Sequence, residues 1–123
     1  MQWKPEGYTS VAPFLIVSDA QATLDFAKAV FGAETLRVMR GDSGAITRAE
    51  MRIDDTVVML GQAPGGPGAQ VHVYVADPEA AQRTALAHGA EEVQPVQDQP
   101  GGERSGGVRD ANGITWWMGR SKG

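Results

Sequence analysis

The sequence predicts an α+β fold: paired βαβββ modules forming a curved mixed sheet around a cleft, with the helices on the outside. Three observations predict it. A strand, cap, helix and stop unit occurs twice, about 57 residues apart, and such internal repeats set an architecture. Each copy precedes three short strand-like segments. The glycine- and proline-rich stretch "QAPGGPGAQ" (62–70) reads as a hinge between the halves.

The first unit opens with "VAPFLIV" (11–17), an apolar run of strand length ending at Ser18 and Asp19. Asp19 suits an N-cap, because its carboxylate can accept orphan backbone N–H groups. Ala22, Leu24, Phe26, Ala27, Val30 and Phe31 then follow a helical period, and Gly32 suits a left-handed stop. Strands follow at about 34–40, 45–53 and 56–61, separated by "GDSG" (41–44) and Asp54-Asp55. The second unit, "VHVYVADPEAAQRTALAHGA" (71–90), repeats the order. Asp77 caps, Pro78 takes the first helical position, Ala81, Ala85 and Leu86 share one side, and Gly89 stops the helix. Its strands are expected at about 91–97, 103–109 and 114–119, with turns at "PGG" (100–102) and "DANG" (110–113). The 123 residues therefore form a single domain, with module one at about 8–61, a linker at about 62–69 and module two at about 70–119.

Composition removes several functions. The net charge is -4 with no Lys/Arg run, so no nucleic-acid partner is expected. Cysteine is absent, which excludes disulfides, thiolate nucleophiles and Cys-type metal sites. No stretch approaches the ~18 apolar residues of a membrane span, and "MQWKPEGYTS" lacks a signal-like apolar region. No membrane partner is expected, and the chain reads as soluble and cytoplasmic. No serine has a histidine at motif spacing, and "GxSxG" is absent. "PGGPG" and "PGGERSGG" do not open a helix after a strand, as a phosphate loop must.

Four segments carry a resemblance: "GYTSVAPFLIVSDAQATLDFAKAVFGAE" (7–34), "AITRAEMRIDDTVVML" (45–60), "VHVYVADPEAA" (71–81) and "VRDANGITWWM" (108–118). They resemble the vicinal oxygen chelate superfamily of glyoxalase I, extradiol dioxygenases and bleomycin-resistance proteins, and within it the PhnB-like branch. The resemblance implies homodimers with paired clefts. In the superfamily's enzymes it also implies one divalent ion held by His and Glu on the inner strands. Those positions fall here on Ala12, Gln70 and Trp117, with a fourth around Met59 to Gln62, where Gln62 is the only candidate ligand. The "HAE" often found in the third strand is Arg48-Ala49-Glu50, and an always-protonated guanidinium binds no metal. No metal and no cofactor are expected.

Strand parity fills in the cleft, because neighbouring side chains point to opposite faces. If Trp117 faces inward, so do Thr115 and Gly119, while Ile114, Trp116 and Met118 pack toward the helix. The first strand then places Ala12, Phe14 and Ile16 inside and Val11, Leu15 and Val17 against its helix. Arg48, Glu50 and Arg52 lie opposite the apolar Ala49, Met51 and Ile53, facing the cleft or solvent. Gln70, His72 and Tyr74 complete the lining. His88, at the end of the second helix, faces solvent, and Trp3 belongs to a leader whose role the sequence leaves open.

The expected ligand-binding residues are thus Phe14, Arg48, Glu50, His72, Tyr74 and Trp117, with no catalytic residue and no metal ligand. Aromatic walls with a few polar groups fit a small-molecule pocket. The expected function is metal-independent sequestration of a planar aromatic molecule, an antibiotic being the natural candidate, by a homodimer. The alternatives are a glyoxalase- or dioxygenase-like metalloenzyme using His72, Glu50 and Gln62, and a metal-free lyase or isomerase with Glu50 as general base.

Overall fold

A computed structural model of the chain describes residues 4–65, 68–100 and 102–121. Trp3, part of the 62–69 linker and part of the 100–102 turn lie outside the described residues. The order of elements is β1 (Phe14–Val17), α1 (Ala20–Phe31), β2 (Glu34–Arg40), β3 (Ile46–Ile53), β4 (Thr56–Gln62), β5 (Ala69–Tyr74), α2 (Pro78–Ala87), β6 (Glu91–Asp98), β7 (Glu103–Arg109) and β8 (Ile114–Ser121). This is the α+β architecture of paired βαβββ modules. Each module forms a four-stranded mixed sheet, in the orders β1-β4-β3-β2 and β5-β8-β7-β6. In both, the first strand pairs in parallel with the last and the remaining pairs are antiparallel.

The helix ends follow their cap chemistry. The Asp19 carboxylate accepts the Ala22 N–H at 3.1 Å, and Gly32 ends α1 in the left-handed region at φ 69°. Asp77 accepts the Ala80 N–H at 3.1 Å and Pro78 occupies the first turn. The second stop sits one residue early: His88 is the C-cap and Gly89, at φ 92°, follows it. His88 is exposed, as expected.

The helix-bearing faces of the two modules meet. One hydrophobic cluster runs from Leu15, Val17, Leu24 and Phe26 through Met51 and Leu60 to Val108, Ile114, Trp116 and Met118. The Trp116 ring lies 5.9 Å from Phe26 and 5.3 Å from Phe31, so an α1 face packs on the second sheet as well as its own. The indole is fully buried, and its N–H donates to Asp110 at 2.8 Å.

The β7–β8 turn stitches the modules together. The Asn112 amide donates to the Asp19 carbonyl at 2.9 Å and to Thr23 Oγ1 at 2.7 Å, and its oxygen accepts from the Asp19 N–H and the Ser18 hydroxyl, both at 2.9 Å. Gln62 adds an acceptor for the Ala20 N–H at 2.8 Å. The orphan donors at the start of α1 are thereby satisfied from the second module and the end of β4.

Two core expectations are corrected. Val11 precedes β1 rather than belonging to it, so no pleat directs its side chain to the helix, and it is exposed. Leu86 is exposed too, because the buried stripe of α2 runs through Pro78, Ala81, Gln82 and Ala85. Gln82 earns its place by filling an irregularity in β6: it donates to the Gln94 carbonyl at 2.8 Å and accepts from the Val96 N–H at 3.1 Å.

Candidate functional site

Each sheet keeps one face outside the shared core, and the expected binding residues divide between these two open faces. Phe14, Arg48 and Glu50 stand on the first sheet; His72, Tyr74 and Trp117 stand on the second. Among the described residues, no hydrogen bond, ion pair or ring contact links the two sets.

On the second sheet, the adjacent tryptophans separate as pleat parity requires. Trp116 enters the core and Trp117 takes the open face, half-buried. The Trp117 ring lies against Gly107, its register partner on β7: a Cβ there would stand 2.6 Å from the ring carbon Cε3. The indole N–H donates to Gln70 Oε1 at 2.9 Å. One face of the indole rests on glycine backbone and one edge is pinned by Gln70. His72 Nε2 lies 3.2 Å from Glu103 Oε1, and the His72 and Tyr74 rings are 4.7 Å apart. Tyr74 is 71% exposed, an unusual amount of free aromatic surface.

On the first sheet, Phe14 lies across Gly61, where a Cβ would stand 2.9 Å from the ring tip. Its ring is 48% exposed, and the Arg48 guanidinium carbon sits 5.3 Å from its centre, within cation–π range. Glu50, only 6% exposed, accepts the Tyr8 hydroxyl at 2.6 Å. That hydrogen bond, with smaller help from burial and from the carboxylate's charge, holds the Tyr8 phenol above its ordinary value. Arg52 donates to the Gly7 carbonyl at 2.9 Å, so the segment before β1 is tied over this face at two points. A cavity of about 360 Å³ lies there, lined by Tyr8, Thr9, Arg37, Glu50 and Met59 among others. A groove of about 710 Å³ elsewhere, lined by Val30, Phe31, Val73 and Val75 among others, follows the seam between modules and contains none of the chemistry above except Tyr74.

The side chains present do not fit a divalent ion within one chain. At the positions where the superfamily resemblance implies ligands, Ala12 offers no donor atom, Gln70 is bonded to Trp117, and the Gln62 oxygen is engaged by the Ala20 N–H. His72, Glu50 and Gln62 do not converge: His72 faces Glu103, Glu50 faces Tyr8 and Gln62 faces α1. Among the described residues, no cluster of three or more His, Asp or Glu side chains could hold a metal.

Sequence reasoning missed Tyr8, Glu103, Gly61 and Gly107. The signal for the glycines was present, since an isolated glycine inside a strand marks a close approach. Tyr8 and Glu103 carried no motif.

The family model for the Glyoxalase/Bleomycin resistance protein/Dioxygenase superfamily matches residues 8–118. The chain belongs to this superfamily. It is 31% identical over 125 residues to an uncharacterised protein of Mycobacterium bovis, a match covering 90% of this chain and 82% of that protein. Among solved structures it is similar to TioX from Micromonospora sp. ML1, with a TM-score of 0.77, 30% identity and coverage of 91% of this chain and 98% of that one. It also shares the fold of a superfamily member from Sphaerobacter thermophilus, with a TM-score of 0.70, 22% identity and coverage of 92% and 98%. No described helix is long and apolar enough to cross a membrane.

Proposed function

We propose that this superfamily member binds a planar aromatic small molecule without a metal, and that it does so as a cytoplasmic homodimer. An antibiotic is the specific candidate, which the bleomycin-resistance branch of the superfamily supports. The observation that carries the reading is the Trp117 indole. It falls where the superfamily resemblance implies a chelating carboxylate, lies on Gly107, is oriented by Gln70 and leaves ring surface free. A flat ligand stacked there gains about 0.5–1.5 kcal/mol beyond its area burial.

The division of the site supports the dimer. A second copy would set the open face of its first module opposite the Trp117 face, closing a cleft that a single chain leaves as two separate walls. The half-exposed Phe14 and the exposed Tyr74 support such a partner, as do β1 and β5, each paired on one side only.

Tryptophan fluorescence tests the reading. Flat aromatic antibiotics are expected to quench the emission of wild-type protein, and the quenching is lost in Trp117→Ala but kept in His72→Ala. Sedimentation should give twice the 13.0 kDa chain mass. A stoichiometric transition metal in protein purified without chelator, or no quenching across a broad panel, overturns the proposal.

A further inference from the structure

We propose that the cleft selects aromatic ligands bearing an anionic substituent, a carboxylate or phenolate, and that Arg48 is the selecting residue. This rests on the aromatic-cleft reading above and adds the charge of the ligand to it.

The argument is a charge balance on the open face of the first sheet. Three arginines stand there on β2 and β3, within a chain whose net charge is -4. Arg52 is matched by Glu34 at 3.6 Å and by the Gly7 carbonyl. Arg37 lies directly across the strand pair from Glu50, an opposite-charge cross-strand neighbour. Arg48 has Met39 and Gly61 as its register partners, and neither carries charge. No carboxylate lies within ion-pair distance of Arg48 among the described residues, and it makes no hydrogen bond to them. Its one specific contact is the Phe14 ring. Glu50, two residues along the same strand, is not available to it as an exposed partner, because that carboxylate is buried under Tyr8.

Phe14 in turn is held down on Gly61. The Arg48 guanidinium carbon lies over that ring, 5.3 Å from its centre, and none of its five N–H donors is spent on a described residue. A planar cation of this kind matches a carboxylate geometrically, two N–H groups to two oxygens, which a lysine could not do. The second sheet does not cancel this charge locally. Of the acids on its open face, Glu103 contacts His72 Nε2 at 3.2 Å and stands opposite Ser121 in the ladder, four residues beyond Trp117 on β8, and Glu91 stands opposite Arg109. An aromatic acid thus finds stacking surface and an unmatched cation, whereas an aromatic amine finds only stacking.

Three probes sharing one ring system separate these cases: 2-naphthoate, 2-naphthamide and 2-naphthylmethylammonium, titrated against the intact protein by tryptophan quenching. Wild type is expected to bind the naphthoate about tenfold tighter than the amide, the size of one charge-assisted contact at a partly solvated site. The ammonium probe should bind no better than the amide. In Arg48→Gln the naphthoate-to-amide ratio falls toward one, and in Arg48→Lys part of the preference survives. Arg83→Gln, which removes the same charge from the exposed surface of α2, keeps the wild-type ratio. Equal binding of all three probes, or a ratio unchanged in Arg48→Gln, overturns the charge selection while leaving the aromatic cleft standing. A ratio that falls equally in Arg83→Gln overturns it as well, assigning the preference to net charge. If none of the three quenches, nor any flat aromatic of the broader panel, the aromatic-cleft reading itself fails.

Discussion

Replacing Gly107 with alanine tests whether the indole platform is built on missing side-chain volume. The backbone tolerates the change, because Gly107 is not among the glycines with positive φ. The new methyl would stand 2.6 Å from Trp117 Cε3 and 2.7 Å from Cζ3. Ordinary carbon–carbon contact lies near 3.5–4.0 Å, so the ring must lift by about 1 Å. Lifting it stretches the 2.9 Å bond to Gln70 past hydrogen-bond range. A partly exposed bond of this kind is worth about 0.5–1 kcal/mol, and the local overpacking adds about 1 kcal/mol at a half-open site. Removing glycine from the unfolded chain offsets about 0.4–1 kcal/mol of that loss. The single variant alone is therefore a blunt test, and a double-mutant cycle with Trp117→Ala is the sharp one. Without the indole, Gly107→Ala should be neutral or slightly stabilising; with it, destabilising. The coupling energy is expected at about 1–2 kcal/mol, read by urea unfolding of the four proteins. A red-shifted emission should accompany Gly107→Ala alone, as the lifted ring meets more water. A coupling below about 0.5 kcal/mol would mean the indole is not seated on Gly107, and the orientation argument would fall with it.

Asp110→Ala should cost about 2–4 kcal/mol in chemical unfolding, because it strands the fully buried Trp116 N–H and removes the acceptor of the Ile114 and Asn112 amides. Asn112→Ala should cost about 1–2 kcal/mol and raise hydrogen exchange at the first amides of α1, while the β7–β8 ladder keeps its protection. Tyr8 should titrate above the ordinary tyrosine value when phenolate absorbance is followed. Its folded-state pKa is raised, so the stability it contributes is full below about pH 10 and is lost as pH rises through the folded value. Tyr8→Phe should remove that alkaline dependence.

The fold was legible because its signals are local. Asp19, Gly32, Asp77 and Pro78 act within one helical turn of where they stand, and the strands between them alternate with a period that a single sequence displays. Parity alone separated Trp116 from Trp117. Long-range events left less trace. Nothing near Tyr8 announces that its hydroxyl meets Glu50, forty-two residues away. The 100–102 turn is followed by Glu103 without any sign that His72 lies opposite. Val11 looked like core because apolar runs mark strands without marking where the first ladder bond forms. The near-identical spacing of the two halves also says nothing about which faces meet, since either arrangement would use the same caps.

Register sets equivalent positions side by side in the two modules. Ile16 pairs with Gly61 on β4 as Tyr74 pairs with Gly119 on β8, so Phe14 and His72 hold equivalent places two residues earlier on the edge strands. A Cβ at Gly61 would strike Phe14, and one at Gly119 would approach Glu103 at 3.0 Å and His72 at 3.1 Å. The backbone therefore offers the same shallow seat in each module. What sits beside the seat differs, an arginine over Phe14 in one case and a glutamate 3.2 Å from His72 in the other. A scaffold that serves only to fold would have no reason to keep bare backbone beneath an exposed ring, because a small side chain there would raise strand propensity and cover apolar surface. The cost of keeping glycine at Gly61 and Gly107, about 0.5–1 kcal/mol each, is explained if the rings above them must lie close to the sheet to meet something else.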